Sequence, residues 1–349
     1  MLSPDLGRAA LIPLHRGLFT GTRRSVLDTA ELHLDTWSLE NGIEVLQIHN
    51  GVGHATVLPF VGQQIWHAHF HGRPLTMRHR FDHPVAATEY LHNNGAYLIH
   101  CGGSAMGNPG PEDAHPLHGE LPNARLDSAT LRWSPGTETT SEALTIVSTM
   151  THRVAFGPWF SAQIELTITA GSALMDSQVQ LTNLSGDPAP LMYLAHLNFR
   201  PAIGGDLDED LSAGQSITTR GEAATPPEPA STLLAPGRRV TPELVQTVPL
   251  RTGADGWRTS RQVHPDGSSD IVQYRVGDLT HTLRWMRRSP DDDAFAFAIP
   301  ATAEPDGYRR AEQQGDVVHY QHRDSLIARF RHGALAPEEP LPPTGQGAS

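Results

Sequence analysis

The sequence has no lysine: all 26 basic residues among its 349 are arginine. Schiff-base catalysis and a P-loop lysine are thereby excluded. A single cysteine, Cys101, rules out an intrachain disulfide. Its neighbours, Ile99-His100 before and Gly102-Gly103 after, suit a small buried residue more than a nucleophile. Long apolar runs are missing too; none nears the ~18 residues of a membrane-crossing helix. The first residues, MLSPDLGRAALIPLHRG, show no charged-then-apolar leader of the secretory kind. A cytoplasmic protein with no membrane partner is the expectation. The net charge of −12 is spread along the chain and offers no basic footprint, so no nucleic-acid partner is expected. No Gly-x-Gly-x-x-Gly follows a strand-like run, and neither Cys-x-x-Cys nor His-Glu-x-x-His occurs. Gly102-Gly103-Ser104 forms neither a P-loop nor a nucleophile elbow. No cofactor is implied, and neither a tandem repeat nor a sustained heptad is present.

What the chain does have is 32 glycines, 28 prolines and 20 histidines. So many turn formers favour numerous short elements over long helices. Residues 31–73 read as consecutive strands punctuated by Asn41-Gly42 and Asn50-Gly51. Gln163 to Thr169 alternates cleanly, turns at Ala170-Gly171-Ser172, and returns through Leu174 to Leu184 as a long antiparallel hairpin. Further strand-like segments lie at Ile271 to Tyr274, Thr280 to Met286, Ala294 to Ile299, Val317 to Tyr320 and Leu326 to Phe330. Thr88 to His92 suits a helical turn. An all-β, antiparallel architecture follows. One domain over 1–333 is expected, with a loop-rich acidic and Pro/Ala-rich insertion at 202–240 and a disordered tail at 334–349.

Three stretches carry chemistry. Gly95 to Asn123 runs from an apolar strand into a glycine-rich loop holding His100, Glu112, Asp113, His115, His118 and Glu120. Such a loop can fold tightly around a small ligand, or it can be a surface loop facing water. Leu191 to Pro201 places His196, Asn198 and Arg200 at spacing two, on one side of a strand, with Tyr193, Ala195, Leu197 and Phe199 on the other. That trio offers directional donors to a neutral, hydroxyl-rich ligand; a hydrogen-bonded core histidine is the alternative. His67, His69 and His71 share one face of a strand by the same period, which fits either a zinc site or a polar outer face.

Gly62-Gln63-Gln64-Ile65-Trp66, Leu98-Ile99-His100-Cys101-Gly102, His115 to Asn123 and Tyr193 to Pro201 resemble the aldose 1-epimerase (mutarotase) superfamily, and most closely its deoxyribose mutarotase branch. The likeness runs from about Ile43 to about Arg331 in the same order. It implies a galactose-mutarotase-like antiparallel β-supersandwich with a sugar lying in an open cleft on one sheet. It implies interconversion of the α and β anomers of a free sugar, 2-deoxyribose or a related aldose, by acid–base ring opening. His196 matches the strand histidine that protonates the ring oxygen, and His118 the Leu-His-Gly histidine that binds and polarises the sugar. The superfamily's basic glutamate, directly before Pro-Ala-Thr, is here Ile299. Asp306, at a position where the deoxyribose branch carries an acid, becomes the expected base, with Glu304 and Glu120 as further carboxylates. Gln64, His100, Asn198, Arg200, Glu120 and Glu304 are the expected sugar contacts. A small-molecule sugar is the implied partner; oligomeric state is unspecified. Two other readings share these residues: a non-catalytic sugar-binding or sensing protein of the same fold, and a metal-dependent sugar isomerase or lyase using His67, His69 and His71.

Overall fold

The computed structural model describes residues 9–220 and 228–343. Among these, strands dominate; their pairings within the sheets are antiparallel, most of them between strands close in the sequence and the rest, such as Leu98–Gly103 with Met192–Leu197, between distant ones. A nine-stranded sheet is built around Ala143–Arg153, Trp159–Thr169, Leu174–Asn183 and Ser325–Leu335. A twelve-stranded sheet runs from Thr218–Thr219 through Val240–Thr247, His281–Arg288, Asp293–Ala301, Met192–Leu197, Leu98–Gly103, Ile65–Phe70, Gly53–Val57, Glu44–His49 and His33–Ser38 to Arg24–Asp28. The expected hairpins are present: His33–Ser38 pairs Glu44–His49 around Asn41-Gly42, and Trp159–Thr169 pairs Leu174–Asn183. Thr88 to His92 leads into a short 3-10 turn, Tyr90–Asn93.

Period-two patterning decides what each sheet face meets. One cluster of buried side chains draws from both sheets, including Trp133, Ile164 and Phe330 from one and Leu34, Phe70 and Phe295 from the other. This is the filling of a sandwich. Every second residue of the twelve-stranded sheet points the other way. Ile99, Cys101, Leu194 and Ile299 form a second apolar cluster on that outer face, roofed by Tyr90, Met106 and other loop residues. The candidate site sits there. Cys101 is free and buried within this cluster.

Two boundaries differ from the sequence reading. The last strand, Ser325–Leu335, continues past Arg331, and Ala334 and Leu335 are buried. Pairing with Leu174–Asn183 on one side and Ser269–Arg275 on the other carries it into the core, so 334 does not begin a tail. Irregular chain follows from Ala336, and 344–349 lie outside the described residues. In 202–240, the strands Asp206–Glu209 and Thr218–Thr219 extend opposite sheets by one edge strand each, and Ala230–Leu233 is helical. Residues 221–227 of this stretch are not described.

Candidate active site

The loop after Leu98–Gly103 returns to touch its own strand. Gly102 donates to the His118 carbonyl at 2.8 Å, and Glu120 donates back to the Gly102 carbonyl at 2.9 Å. A Cβ on Gly119 would lie 2.5 Å from the Gly102 oxygen and 2.4 Å from the Ala105 oxygen, and its φ is +80°. Only glycine permits so close an approach. His118, the preceding residue, has φ 62°, an uncommon conformation for a side chain with a Cβ. This turn sets the His118 ring over the outer face of the sheet.

His196 reaches the same place from Met192–Leu197, where it stands beside Ile99 in register and on the same face as Leu194. The two imidazoles meet edge to face, 5.6 Å between ring centroids. Tyr90 packs 4.5 Å from His118, and Trp285 lies 5.3 Å from His196. Asn198 holds the second imidazole. Its amide nitrogen donates to the Ala96 carbonyl at 2.9 Å, leaving its oxygen to accept from His196 Nδ1 at 2.7 Å. The neutral ring is therefore protonated on Nδ1 and presents Nε2 as an acceptor. Burial pushes His196 down to about 4, against the Asn198 hydrogen bond that favours the cation. Burial, then the nearby His196 and His115, pushes His118 down to about 3.

A cavity of about 230 Å³ opens between these groups, with Leu194, Leu283, Val245 and Ile299 on its apolar side. The Tyr90 hydroxyl, Asn94 Oδ1 and His118 Nδ1 all belong to cavity-lining residues, are buried, and have no hydrogen-bond partner. Native interiors rarely leave such groups unpaired; each of the three atoms is shielded from water, so they stand behind the cavity wall and not on its surface. Among the described residues one carboxylate lines it, that of Glu243 on Val240–Thr247, which accepts from Trp285 Nε1 at 2.6 Å through Oε2. Arg284 lies deeper and is consumed by Glu209, Gln246 and the Phe297 carbonyl.

The other residues expected at the site lie elsewhere. Asp306 and Glu304 flank cavity-lining Pro305, but both carboxylates are ion-paired to Arg220. Burial opposes ionisation of Glu304; hydrogen bonds from Arg220, Gln314 and Thr247, with the Arg220 charge, override it and hold the carboxyl at about 2. Such a group is a poor proton acceptor at neutral pH. Glu120 ties the loop by accepting from the Ser104 amide at 2.9 Å and hydroxyl at 2.5 Å. Gln64 is fully buried and donates to the Pro122 carbonyl and Asn123. His100 stands on the opposite face of its strand, 2.6 Å from the Tyr193 hydroxyl between the sheets. Arg200 lies past the strand end at Leu197 and lines a different cavity. Glu112, Asp113 and His115 line a third. His71 leaves its strand, which ends at Phe70, with φ 50°, so His67, His69 and His71 do not form one row. Among the described residues no three His, Cys, Asp or Glu side chains are placed to hold a metal ion.

Glu243, Tyr90, Asn94 and Trp285 escaped the sequence reading. Glu243 directly follows the Pro-rich insertion, where no pattern marks it. Trp285 carried a usable signal: a large aromatic on the same strand face as His281 and Leu283, the kind of flat surface on which sugar rings stack.

Residues 40–331 match the family model described as Domain of unknown function (DUF4432). The chain belongs to that family. No curated protein matches it. Among solved structures it resembles a Klebsiella pneumoniae protein provisionally named an aldose 1-epimerase, with TM-score 0.79 and 14% identity over 95% of this chain and 92% of the other. A galactose mutarotase-like protein from Clostridium acetobutylicum matches with TM-score 0.62 and 8% identity over 88% and 99%. At such identities the likeness is one of fold. The galactose-mutarotase-like antiparallel sandwich that the sequence resemblance implies is the fold observed.

Proposed function

We propose that the cavity binds one free aldose and interconverts its α and β anomers, with 2-deoxyribose or a close relative as substrate. The observation that carries this is the meeting of His118, His196 and the Glu243 carboxylate at one cavity. The mutarotase-like fold supports it. Glu243 takes the proton of the anomeric hydroxyl through Oε1, while Trp285 steadies Oε2. His196 gives a proton to the ring oxygen from Nε2, and the C1–O ring bond breaks. The carbonyl rotates; closure on its other face returns the ring hydroxyl proton to His196 and the Glu243 proton to the anomeric oxygen. His118 binds a hydroxyl, its ring backed by Tyr90. Glu243, two strands away from Ile299 across His281–Arg288, takes the place of the glutamate that Ile299 displaces. The Leu194, Leu283 and Ile299 side chains offer no partner to a further hydroxyl, which suits a deoxy sugar.

The test is anomer exchange of 2-deoxyribose followed by saturation-transfer NMR or polarimetry. The expected result is exchange above the buffer blank. His196→Ala and Glu243→Gln should each lose at least about tenfold, the low end for a lost acid or base. Asp306→Asn should lose less than Glu243→Gln. Exchange equal to the blank with sugar still bound would make this a binding protein instead.

A further inference from the structure

Histidines run straight across the outer face of the twelve-stranded sheet, away from the sugar cavity. Strand register places His33 opposite His49, His49 opposite His54, and His54 opposite His69. Neighbouring rings are 6.1, 5.1 and 5.4 Å apart, and the last pair is stacked. His67, one row over, stacks at 6.1 Å on His79. Cross-strand like-charged groups repel, so a file of imidazoles across four strands is costly whenever it is protonated.

This file ends in a cavity of about 340 Å³ where His54, His67, His69 and His79 meet Arg78 and Arg200. Among the described residues no carboxylate lines it. The rings of His54, His67 and His69 make no hydrogen bond to any described residue. Arg200 spends only its Nε, on the Thr76 carbonyl at 3.3 Å. Arg78 faces the Ser289 and Pro290 carbonyls, not an acid. The acids nearby are already taken: Asp292 by Arg80 at 2.8 Å and Arg287 at 3.1 Å, Asp293 by Arg288 at 3.0 Å. At the far end of the file, Asp28 and Asp35 pair with His33, and Arg23 pairs with Asp35.

We propose that this cavity binds a small oxyanion and takes up protons on its imidazoles as it does so. Two guanidiniums without carboxylates repel a metal cation, and Arg200, whose terminal nitrogens are uncommitted, offers a planar donor pair that matches an oxyanion. Neutral imidazoles facing an anion would present lone pairs to it; protonation turns them into donors. Without a ligand, burial and then the neighbouring His79 and His54 push His67 down to about 4. Burial, then His49, His69 and Arg23, lowers His54. Burial lowers His79, with Arg200 adding to it and Asp292 opposing. An anion supplies the missing opposite charge and raises all three. Groups whose pKa rises on binding strengthen that binding as pH falls, and the gain is lost as pH rises through the bound-state values.

The test titrates the full chain with sodium sulfate, which keeps its charge across the range, and with sodium acetate. Calorimetry in two buffers of different ionisation enthalpy counts protons. Saturable sulfate binding is expected at pH 5.5, at least about tenfold weaker at pH 7.5, with about one proton taken up per anion. Arg200→Gln should weaken it at both pH values, and His67→Gln should flatten the pH dependence. Sulfate binding alone would identify a phosphate-type ligand; binding of both anions would include carboxylates. Absence of saturable binding of either anion at pH 5.5 overturns the proposal. So does binding that ignores pH, binding that ignores Arg200→Gln, or uptake of Zn²⁺ in place of the anions.

Discussion

His196 carries its resting proton on Nδ1, because Asn198 can turn only its oxygen toward the ring. To act as the acid it must first gain a second proton on Nε2, and burial holds that step at about 4. At pH 7 roughly one molecule in a thousand is then cationic. With His196 as acid, kcat/KM for anomer exchange, corrected for the blank, should rise by about tenfold per unit as pH falls from 8 towards 5. A flat profile would remove His196 from the acid role. At this scale the sequence showed which residue types could do the chemistry. It did not show which carboxylate. Asp306 and Glu304 sit beside a cavity residue, yet Arg220 claims both, and that guanidinium is 84 or more positions away in the chain.

Among the elements, strand parity explains both the success and the failures. Leu191 to Pro201 was read as alternating, and His196 and Asn198 do share a face. The strand ends at Leu197, so the same period carried on to Arg200 placed it wrongly. His100 belongs to the right strand but the wrong face. Its register partner is Ala195, on the side that fills the sandwich, whereas His196 pairs with Ile99. The loop holding His118 depends on Glu120, whose carboxylate joins the loop's end to its start at Ser104. Glu120→Ala should cost about 1–3 kcal/mol by leaving the Ser104 amide unpaired. It should also raise KM for the sugar through a displaced His118, with Glu120→Gln recovering part of both. Thermal melts and steady-state exchange rates check this; an unchanged KM would leave Glu120 with a role in folding only.

The whole molecule buries several neutral histidines. Burial alone pushes His100 to about 3; burial and then His100 hold His332 at about 3, and His196 sits at about 4. All three are buried, at 1%, 0% and 5% exposure. Unfolded, each titrates near 6.5. Their contribution to stability is therefore complete above about 6.5 and is lost as pH falls toward the folded values. Three groups together cost about 4 kcal/mol per pH unit in that window. The melting temperature should fall steeply between pH 6 and 4.5 and change little between pH 7 and 8. A melting temperature constant down to pH 4.5 would contradict the buried neutral state. His100→Gln should flatten the slope without touching the cavity at His118 and His196.

The sequence by itself determined the all-β, antiparallel class, the main hairpins and the two histidine stretches, because period-two alternation and Asn-Gly turns act over a few residues. Only the tertiary structure decided which face each histidine occupies, that Glu243 lines the cavity beside His118 and His196, and that a file of imidazoles ends between two arginines. Those outcomes depend on pairing register and on ion pairs between distant segments, which no local pattern encodes.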